Sequence, residues 1–389
     1  MLLSLLVYTL SGALLFFLGW HVNRREQGLL LNGGNLLPFY SWEIVLSILF
    51  FAAIAGARYH TGYDHKMYLD QYLNLQQTGE FSRDNFEWGF EWISKLFASC
   101  HIHYFFYFAF WAFLQIGFLY YGLRNHKHLL CWVGLGIMFG PFFLSWMNSV
   151  RQSVVVCAFV AMIPLIRDRK FILYALLVLL CAFLHKSALI LIPVFLVGFI
   201  NIKDKSPNRW LLIGILSIFV IIGSFPFWID WFNNYQWFLD LTGYSNYGNQ
   251  YDPNVGGTLR DVNWGISRLS ILIANVFMIF FYPEMKSFFK NDSLLPYFFI
   301  MAFIGMCLSN LLMNTTHFIL RPIDYFIIYY LIIGSYLMVY LLKHKQYILS
   351  IIFFIFSFND ALINVYKMVF IPHYSYQYYL YHFFFIPTL

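Results

Sequence analysis

The stretch LLCWVGLGIMFGPFFLSWMNSVRQSVVVCAFVAMIPLI, residues 129–166, decides the fold class. It contains two apolar runs, each near the roughly 20 residues that a helix needs to cross a bilayer. Between them lies the polar break Asn148-Ser149-Val150-Arg151-Gln152. A charge at the bilayer centre costs on the order of 3 kcal/mol by insertion scales, so such residues are usually functional or extend to the interface. The break therefore predicts a polar feature at a membrane face.

The composition of the whole chain agrees with this stretch. The 389 residues are 61% hydrophobic and 11% charged, which excludes a soluble domain and predicts an all-α polytopic integral membrane protein. We predict one membrane domain over residues 1–389. The five cysteines are too few for a disulfide framework. No nucleic-acid-binding motif is present, so the net charge of +6 has another origin.

Apolar runs predict about twelve transmembrane helices. The predicted spans are 1–20, 36–57, 104–123, 129–147, 150–166, 171–185, 188–202, 210–229, 266–282, 294–313, 322–342 and 347–370. The six short connections that alternate along this series hold 14 of the 24 basic residues and 5 of the 18 acidic ones. The positive-inside rule assigns these connections to the cytoplasm. Both termini, the loops 58–103 and 230–265, and the tail 371–389 are then outside.

Several basic side chains nevertheless lie near span ends on the predicted outer face: Arg58, Arg151, Lys186 and Arg321. Such a group suits an anionic ligand at the outer interface, because arginine binds phosphate through two parallel hydrogen bonds. Each has a structural alternative. Arg151 can extend to the interface with Gln152 as its local partner, Arg58 and Lys186 can anchor span ends, and Arg321 can pair with Asp324 one turn on.

The outer loops have recognisable patterns of their own. Apolar residues repeat at helical spacing after Asp64 and again after Asp84, which predicts two amphipathic helices lying on the membrane. The 230–265 loop is rich in Tyr, Trp, Asn and Gly. Aromatic rings and amides suit sugar binding, and the same composition is also typical of an interfacial loop.

Taken in order, these motifs resemble the EpsG-type Wzy polymerases. The resemblance rests on Arg58…Gly62-x-Asp64…Tyr68, Glu87-x-Gly89-Phe90, Asn148-x-x-Arg151-Gln152, His185-Lys186-Ser187-Ala188 and Arg321…Tyr325-Phe326. These polymerases join lipid-linked oligosaccharide repeat units into O-antigen, capsule or exopolysaccharide. The resemblance implies a GT-C-like helical fold in the bacterial inner membrane, with outer-face interfacial helices and an active site facing the periplasm or the cell exterior.

The resemblance also implies a reaction and its partners. A growing glycan on undecaprenyl pyrophosphate is the donor, and its reducing-end sugar passes to a hydroxyl at the non-reducing end of a new lipid-linked repeat unit. Undecaprenyl pyrophosphate leaves, and fixed cations stabilise its charge. No nucleotide, cofactor or metal is expected, and the protein partners would be a flippase and a chain-length regulator.

Residue roles follow from the same resemblance. The pyrophosphate-binding candidates are Arg58, Arg151, Gln152, Lys186 and Arg321, and the substrate-binding candidates are Asn148, Tyr68, Arg260 and Tyr325. The acceptor hydroxyl needs a base within hydrogen-bond reach, for which Asp64, His185 and Glu87 are all candidates. Asp64 can instead be the N-cap of the helix after it, and His185 can be a hydrogen-bonding residue at a helix end.

Three other functions fit parts of the pattern. A flippase or exporter of lipid-linked sugars would carry polar residues through the membrane midplane, often with an internal repeat. Another polyprenyl-linked GT-C glycosyltransferase would place acidic residues in the loop after the first helix, which here is basic. An O-antigen ligase would have a larger late outer loop, whereas the largest predicted outer loop here is the first.

Overall fold

The computed structural model describes residues 2–62, 64–82, 86–200, 207–225, 264–313, 321–370 and 380–385, with backbone alone at 360–362 and 364–370. This part of the chain is all helical, and one isolated bridge between Arg58 and Phe383 is its sole β-type pairing. The α-helices are α1 Leu2–Leu31, α2 Trp42–Ala57, α3 His65–Thr78, α4 Trp88–Ser99, α5 Tyr104–Gly122, α6 Leu130–Phe139, α7 Phe142–Asn148, α8 Val150–Arg167, α9 Phe171–Ala182, α10 Arg209–Ser224, α11 Ile266–Phe288, α12 Leu295–Leu311, α13 Asp324–Lys343 and α14 Tyr347–Phe370. Short 3-10 helices cover Lys127–Leu129, Lys186–Leu191, Pro193–Phe199 and Arg321–Ile323.

Length and composition qualify a subset of these helices as membrane spans. Among the described residues five helical segments can cross a bilayer, namely Leu2–Leu31, Tyr104–Gly122, Val150–Arg167, Ile266–Phe288 and Arg321–Lys343. The bent pair of Lys127–Phe139 and Phe142–Asn148 brings the total to six if it counts as one span. Other apolar helices are shorter, at 10–17 residues. The protein is therefore a membrane protein whose described part is all helical, while the count of twelve stays a prediction.

The predicted span 129–147 is not one continuous helix. It is divided into α6 and α7, which meet at an angle of 63°. Pro141 stands at this division and Gly140 before it is extended, with φ −86° and ψ −175°. Proline has no N–H to donate and its ring clashes with the preceding turn, so a helix ends or bends there. The predicted span 188–202 also differs, because its described part forms 3-10 helix.

The chain divides into two units. The first comprises Met1–Met162, Phe183–His185 and Leu341–Leu389, and the second comprises Ile163–Ala182 and Lys186–Tyr340. In the first unit α1 packs along α6, and α2 packs along α5. Two ion pairs tie α1 to its neighbours: Arg25 Nη1 donates to the buried Glu43 at 2.6 Å, and the buried Lys127 Nζ donates to Glu26 at 2.6 Å.

The two helices predicted for the first outer loop are confirmed as α3 and α4. They enclose an aromatic core against α5, in which the rings of Tyr72 and Tyr107 stack at 4.1 Å and Phe90 lies 5.1 Å from Trp111. The opposite side of α4 exposes Trp88. The first turn of α4 is thus packed against this aromatic core. That packing positions the residue just before the helix, Glu87.

The second unit is a separate set of helices. α10 packs on α11 and α12, where the rings of Tyr282 and Phe299 stack at 3.5 Å. Arg209, at the start of α10, donates to Glu284 at 2.6 Å. This unit carries the predicted site residues Lys186, Arg321 and Tyr325.

Candidate functional site

Glu87 is the centre of a charged cluster in the first unit. One of its carboxylate oxygens accepts a hydrogen bond from Arg151 Nη1, and the other lies 3.0 Å from His185 Nδ1. Tyr68 lies beside the same guanidinium. We call Glu87, Arg151, His185 and Tyr68 the Glu87 cluster. All four are separate predictions from the sequence, and the structure brings them together from positions 68, 87, 151 and 185.

The local backbone explains why Glu87 and His185 meet. Glu87 is the N-cap residue of α4, with an extended backbone at φ −72° and ψ 142°. Two residues later, Gly89 N donates to Phe183 O at 2.9 Å. A Cβ at Gly89 would lie 2.7 Å from that same oxygen, so only glycine permits this approach. The contact holds residues 183–185 against the start of α4.

The cluster is mostly removed from solvent. The side chains of Glu87, His185 and Arg151 are 10%, 11% and 16% exposed. The guanidinium lies above the rings of Phe86 and Phe90, at 4.8 Å and 5.2 Å from their centroids. Aromatic faces attract a cation, and low solvent exposure strengthens its pairing with the carboxylate.

The geometry fixes the chemistry available to His185. An ionised carboxylate only accepts hydrogen bonds, so the 3.0 Å contact makes Nδ1 the nitrogen that carries the proton. In the neutral ring Nε2 then carries the lone pair and can accept a proton. Glu87 would also stabilise the imidazolium that results, as the carboxylate does in a catalytic triad. The cluster is therefore a carboxylate–imidazole pair beside a fixed cation.

Arg58, the other predicted arginine of this unit, has different surroundings. It is 1% exposed, and its guanidinium donates to Ala55 O at 2.9 Å, to Met147 O at 3.2 Å and to Met147 Sδ. The ring of Phe108 lies 4.9 Å away. The carbonyls of Ala55 and Met147 belong to the last turns of α2 and α7, which leave such groups without helical partners. A cation there also complements both helix dipoles.

A segment at the C-terminal end of the chain covers the turn that follows Arg58. We call residues 380–385 the C-terminal strap. Tyr59 N donates to His382 O at 2.7 Å, Phe384 N donates to Ala57 O at 3.0 Å, and His382 N donates to Thr61 Oγ1 at 3.2 Å. Sequence reasoning missed this pairing because backbone hydrogen bonds leave no mark in the side-chain pattern. The strap fixes the segment that leads to Asp64.

Asn148 and Asp64 are close to one another in the turn after Arg58. Asp64 N donates to Asn148 Oδ1 at 3.4 Å. Gly62 has φ +90°, and a Cβ there would lie 2.4 Å from the same oxygen, so the turn depends on glycine. Asp64 occupies the N-cap position of α3, and its side chain makes no capping hydrogen bond. The N-cap alternative thus accounts for its position and not for its side chain.

Two buried residues that sequence reasoning missed support this region. Gln115 Nε2 donates to Trp146 O at 3.3 Å and to Val150 O at 3.2 Å, which bridges the break between α7 and α8. His65 is fully buried, and its Nδ1 accepts from His60 N at 3.1 Å. Burial, then the charge of Arg58 and then His60 hold the pKa of His65 well below its usual value. A glutamine within an apolar span was the available signal for Gln115.

The remaining predicted residues lie elsewhere or are enclosed. Gln152 is 3% exposed in the first turn of α8. In the second unit, Lys186 is exposed, the Ser187 and Tyr325 hydroxyls are 2.8 Å apart, and Arg321 begins a 3-10 helix and interacts electrostatically with Asp324. Arg260 and most of the predicted 230–265 loop lie outside the described residues, as does much of the tail 371–389.

The fold and the cluster together define a helical membrane protein with a charged, largely buried polar site. The chain matches the EpsG family over residues 41–383, and it belongs to that family. The match begins just before α2 and ends within the C-terminal strap, so it includes the whole Glu87 cluster. No curated protein and no solved structure matches the chain. Family membership indicates a membrane protein of polysaccharide biosynthesis.

Proposed function

We propose that this protein is a polysaccharide polymerase that extends a lipid-linked glycan at the outer face of the bacterial inner membrane. The donor is a glycan on undecaprenyl pyrophosphate, and the acceptor is the non-reducing end of a lipid-linked repeat unit. The observation that carries the proposal is the contact of Glu87 with both Arg151 and His185, in a chain of the EpsG family.

In this proposal His185 is the general base and Glu87 orients it. The acceptor hydroxyl gives its proton to Nε2 while its oxygen forms a bond to the anomeric carbon of the donor. The bond from that carbon to the pyrophosphate oxygen breaks, and undecaprenyl pyrophosphate leaves with the electron pair. Of the three candidate bases, His185 is preferred because its Nδ1 contact with Glu87 leaves the lone pair on Nε2.

Arg151 is the group that stabilises the leaving pyrophosphate. Its Nη1 is used by Glu87, and its buried Nε has no hydrogen-bond partner among the described residues. A guanidinium has five N–H donors, so a phosphate oxygen can bind beside the carboxylate. Charge-assisted bonds of this kind are the strong ones, and they gain strength as charge develops on the leaving group. Tyr68 lies beside the same guanidinium, and Asn148 contacts the backbone of Asp64 in the turn before α3. These three residues are proposed to contact the sugars.

The test is polymerisation by purified protein supplied with lipid-linked repeat units and without nucleotide sugars. The wild type should form a ladder of polymer lengths. His185→Ala should lower the rate by about 100-fold or more, in the range expected for loss of a general base. His344→Ala is the matched control, since His344 is an exposed histidine in a short connection far along the chain. A normal ladder from His185→Ala would refute the assignment of the base.

A deletion strain separates this function from the transport alternative. Without a polymerase, cells should still display single repeat units on the surface but no long polymer. Loss of all surface glycan would instead identify a flippase or exporter.

A further inference from the structure

The start of α11 in the second unit concentrates positive charge. Arg268 lies in the first turn of this helix. No acidic residue stands in that turn, and the N-cap Gly265 offers no side-chain cap. The N-terminal end of a helix carries partial positive charge, so anions are favoured there and cations are not. A guanidinium at this place calls for a negative partner.

The described residues supply no such partner. The hydrogen bond of Arg268 in this part of the chain is a long one, 3.5 Å from Nη2 to Asn310 Oδ1 on α12. The guanidinium lies 5.3 Å from the ring of Trp264, and its Nε is buried without a hydrogen-bond partner. Arg209 provides a contrast within the same unit, because it also begins a helix but donates to a carboxylate, Glu284, at 2.6 Å.

A second polar group without partners lies further along the same helix. Asn275 is 1% exposed, and neither its Oδ1 nor its Nδ2 has a hydrogen-bond partner in the described structure. It follows Arg268 by seven residues, which is two helical turns and therefore the same face of α11. Buried amides are nearly always hydrogen-bonded, and polar residues within membrane helices usually mark a ligand pathway.

We propose that Arg268, Asn310 and Asn275 form a second anion site, which binds the pyrophosphate of the lipid-linked acceptor. This inference rests on the proposed function, since polymerisation brings two lipid pyrophosphates to the protein in each turnover. One leaves as undecaprenyl pyrophosphate. The other stays attached to the product, so its site must bind and release an anion without stabilising new charge. One arginine among neutral amides fits that task. The positive-inside rule predicts that the loop before α11 lies on the outer face.

Binding stoichiometry tests the site directly. Purified protein in phosphatidylcholine nanodiscs is titrated with undecaprenyl pyrophosphate, and bound molecules are counted by native mass spectrometry. The wild type should bind two equivalents and Arg268→Gln one. Arg209→Gln is the matched control and should bind two. A single equivalent on the wild type, or two on Arg268→Gln, would overturn the proposal.

A second variant guards against a folding artefact. Asn275→Leu keeps the side-chain size and removes the amide, so the helix face becomes apolar and the fold should remain intact. It should weaken binding of the second equivalent by at least tenfold, and unchanged binding would overturn the role of Asn275. Inorganic pyrophosphate is the remaining arm: equal occupancy of the Arg268 site by inorganic and lipid-linked pyrophosphate would identify a soluble anion and refute the lipid assignment.

The outcome separates this inference from the proposed function. Two equivalents on the wild type, with one on Arg268→Gln but no polymer formed by any variant, would uphold the site and refute the polymerase. A normal polymer ladder together with unchanged binding by Arg268→Gln would uphold the polymerase and refute the second site.

Discussion

Arg58 and Arg151 were predicted to share one role, and the structure gives them contrasting surroundings. Arg58 is enclosed by backbone carbonyls and donates to the ends of two helices. Arg151 is held by a carboxylate above two phenylalanine rings, next to a histidine that shares the same carboxylate. The first guanidinium therefore organises the backbone, while the second belongs to the group of residues suited to chemistry. Similar sequence positions at span ends do not imply similar functions.

The largest expected effect is on catalysis at Arg151. Arg151→Ala should abolish polymer, with a rate loss of about 100- to 1,000-fold, because the charge that stabilises the leaving pyrophosphate is gone. Arg151→Lys should recover only part of the rate, since an ammonium keeps the charge but not the planar set of donors. Polymer ladders and membrane protein levels are measured together. Wild-type chain lengths from Arg151→Ala at normal protein levels would refute the role in pyrophosphate binding.

The next effect is on stability at Arg58. Arg58→Ala removes the donors to Ala55 O and Met147 O and leaves a buried cavity, so the free energy of unfolding should fall by about 3 kcal/mol or more. Thermal unfolding in detergent measures this change. Arg124→Ala is the matched control: Arg124 also donates to a carbonyl near a helix end, Tyr121 O at 2.8 Å, but that hydrogen bond is exposed, so the change should be below about 0.5 kcal/mol. Equal losses in the two variants would contradict the contrast.

This comparison also shows what the sequence could and could not predict. The periodicity of apolar residues predicted α3 and α4, because short-range spacing determines which face of a helix is buried. The same reasoning missed the bend between α6 and α7, although Pro141 was visible, because apolar composition continues unbroken across it. The partner of Arg58 lies 89 residues away at Met147. The spacing of residues along the chain does not predict contacts between residues so far apart in sequence.

The sequence predicted which residues belong to the candidate site, but it did not predict that they contact one another. Glu87, Arg151 and His185 were each identified from polar residues in apolar surroundings and from the family resemblance. Their mutual contact depends on Gly89, which allows Phe183 to approach, and no single-sequence pattern reports that approach. The C-terminal strap depends on backbone hydrogen bonds between residues more than 300 positions apart. Arg268 lacked any motif, and its missing partner is a purely structural observation.

The smallest expected effect is on the pH dependence of stability, which depends on His65 and on the nearby charge of Arg58. The folded protein holds the pKa of His65 well below its usual value, by burial and by the charge of Arg58, so the buried ring is neutral. In the unfolded chain the pKa is about 6.5. As the pH falls below about 6.5 the unfolded state binds a proton that the folded state does not, so stability should decline by up to about 1.4 kcal/mol per pH unit.

Unfolding measured from pH 7.5 to 5 should show this decline. His65→Gln should make the decline shallower by the contribution of one bound proton, up to about 1.4 kcal/mol per pH unit. Arg58→Ala should also reduce the slope, because loss of the nearby charge raises the pKa of His65 in the folded state. An identical pH dependence in the wild type and His65→Gln would show that His65 is not the neutral buried group.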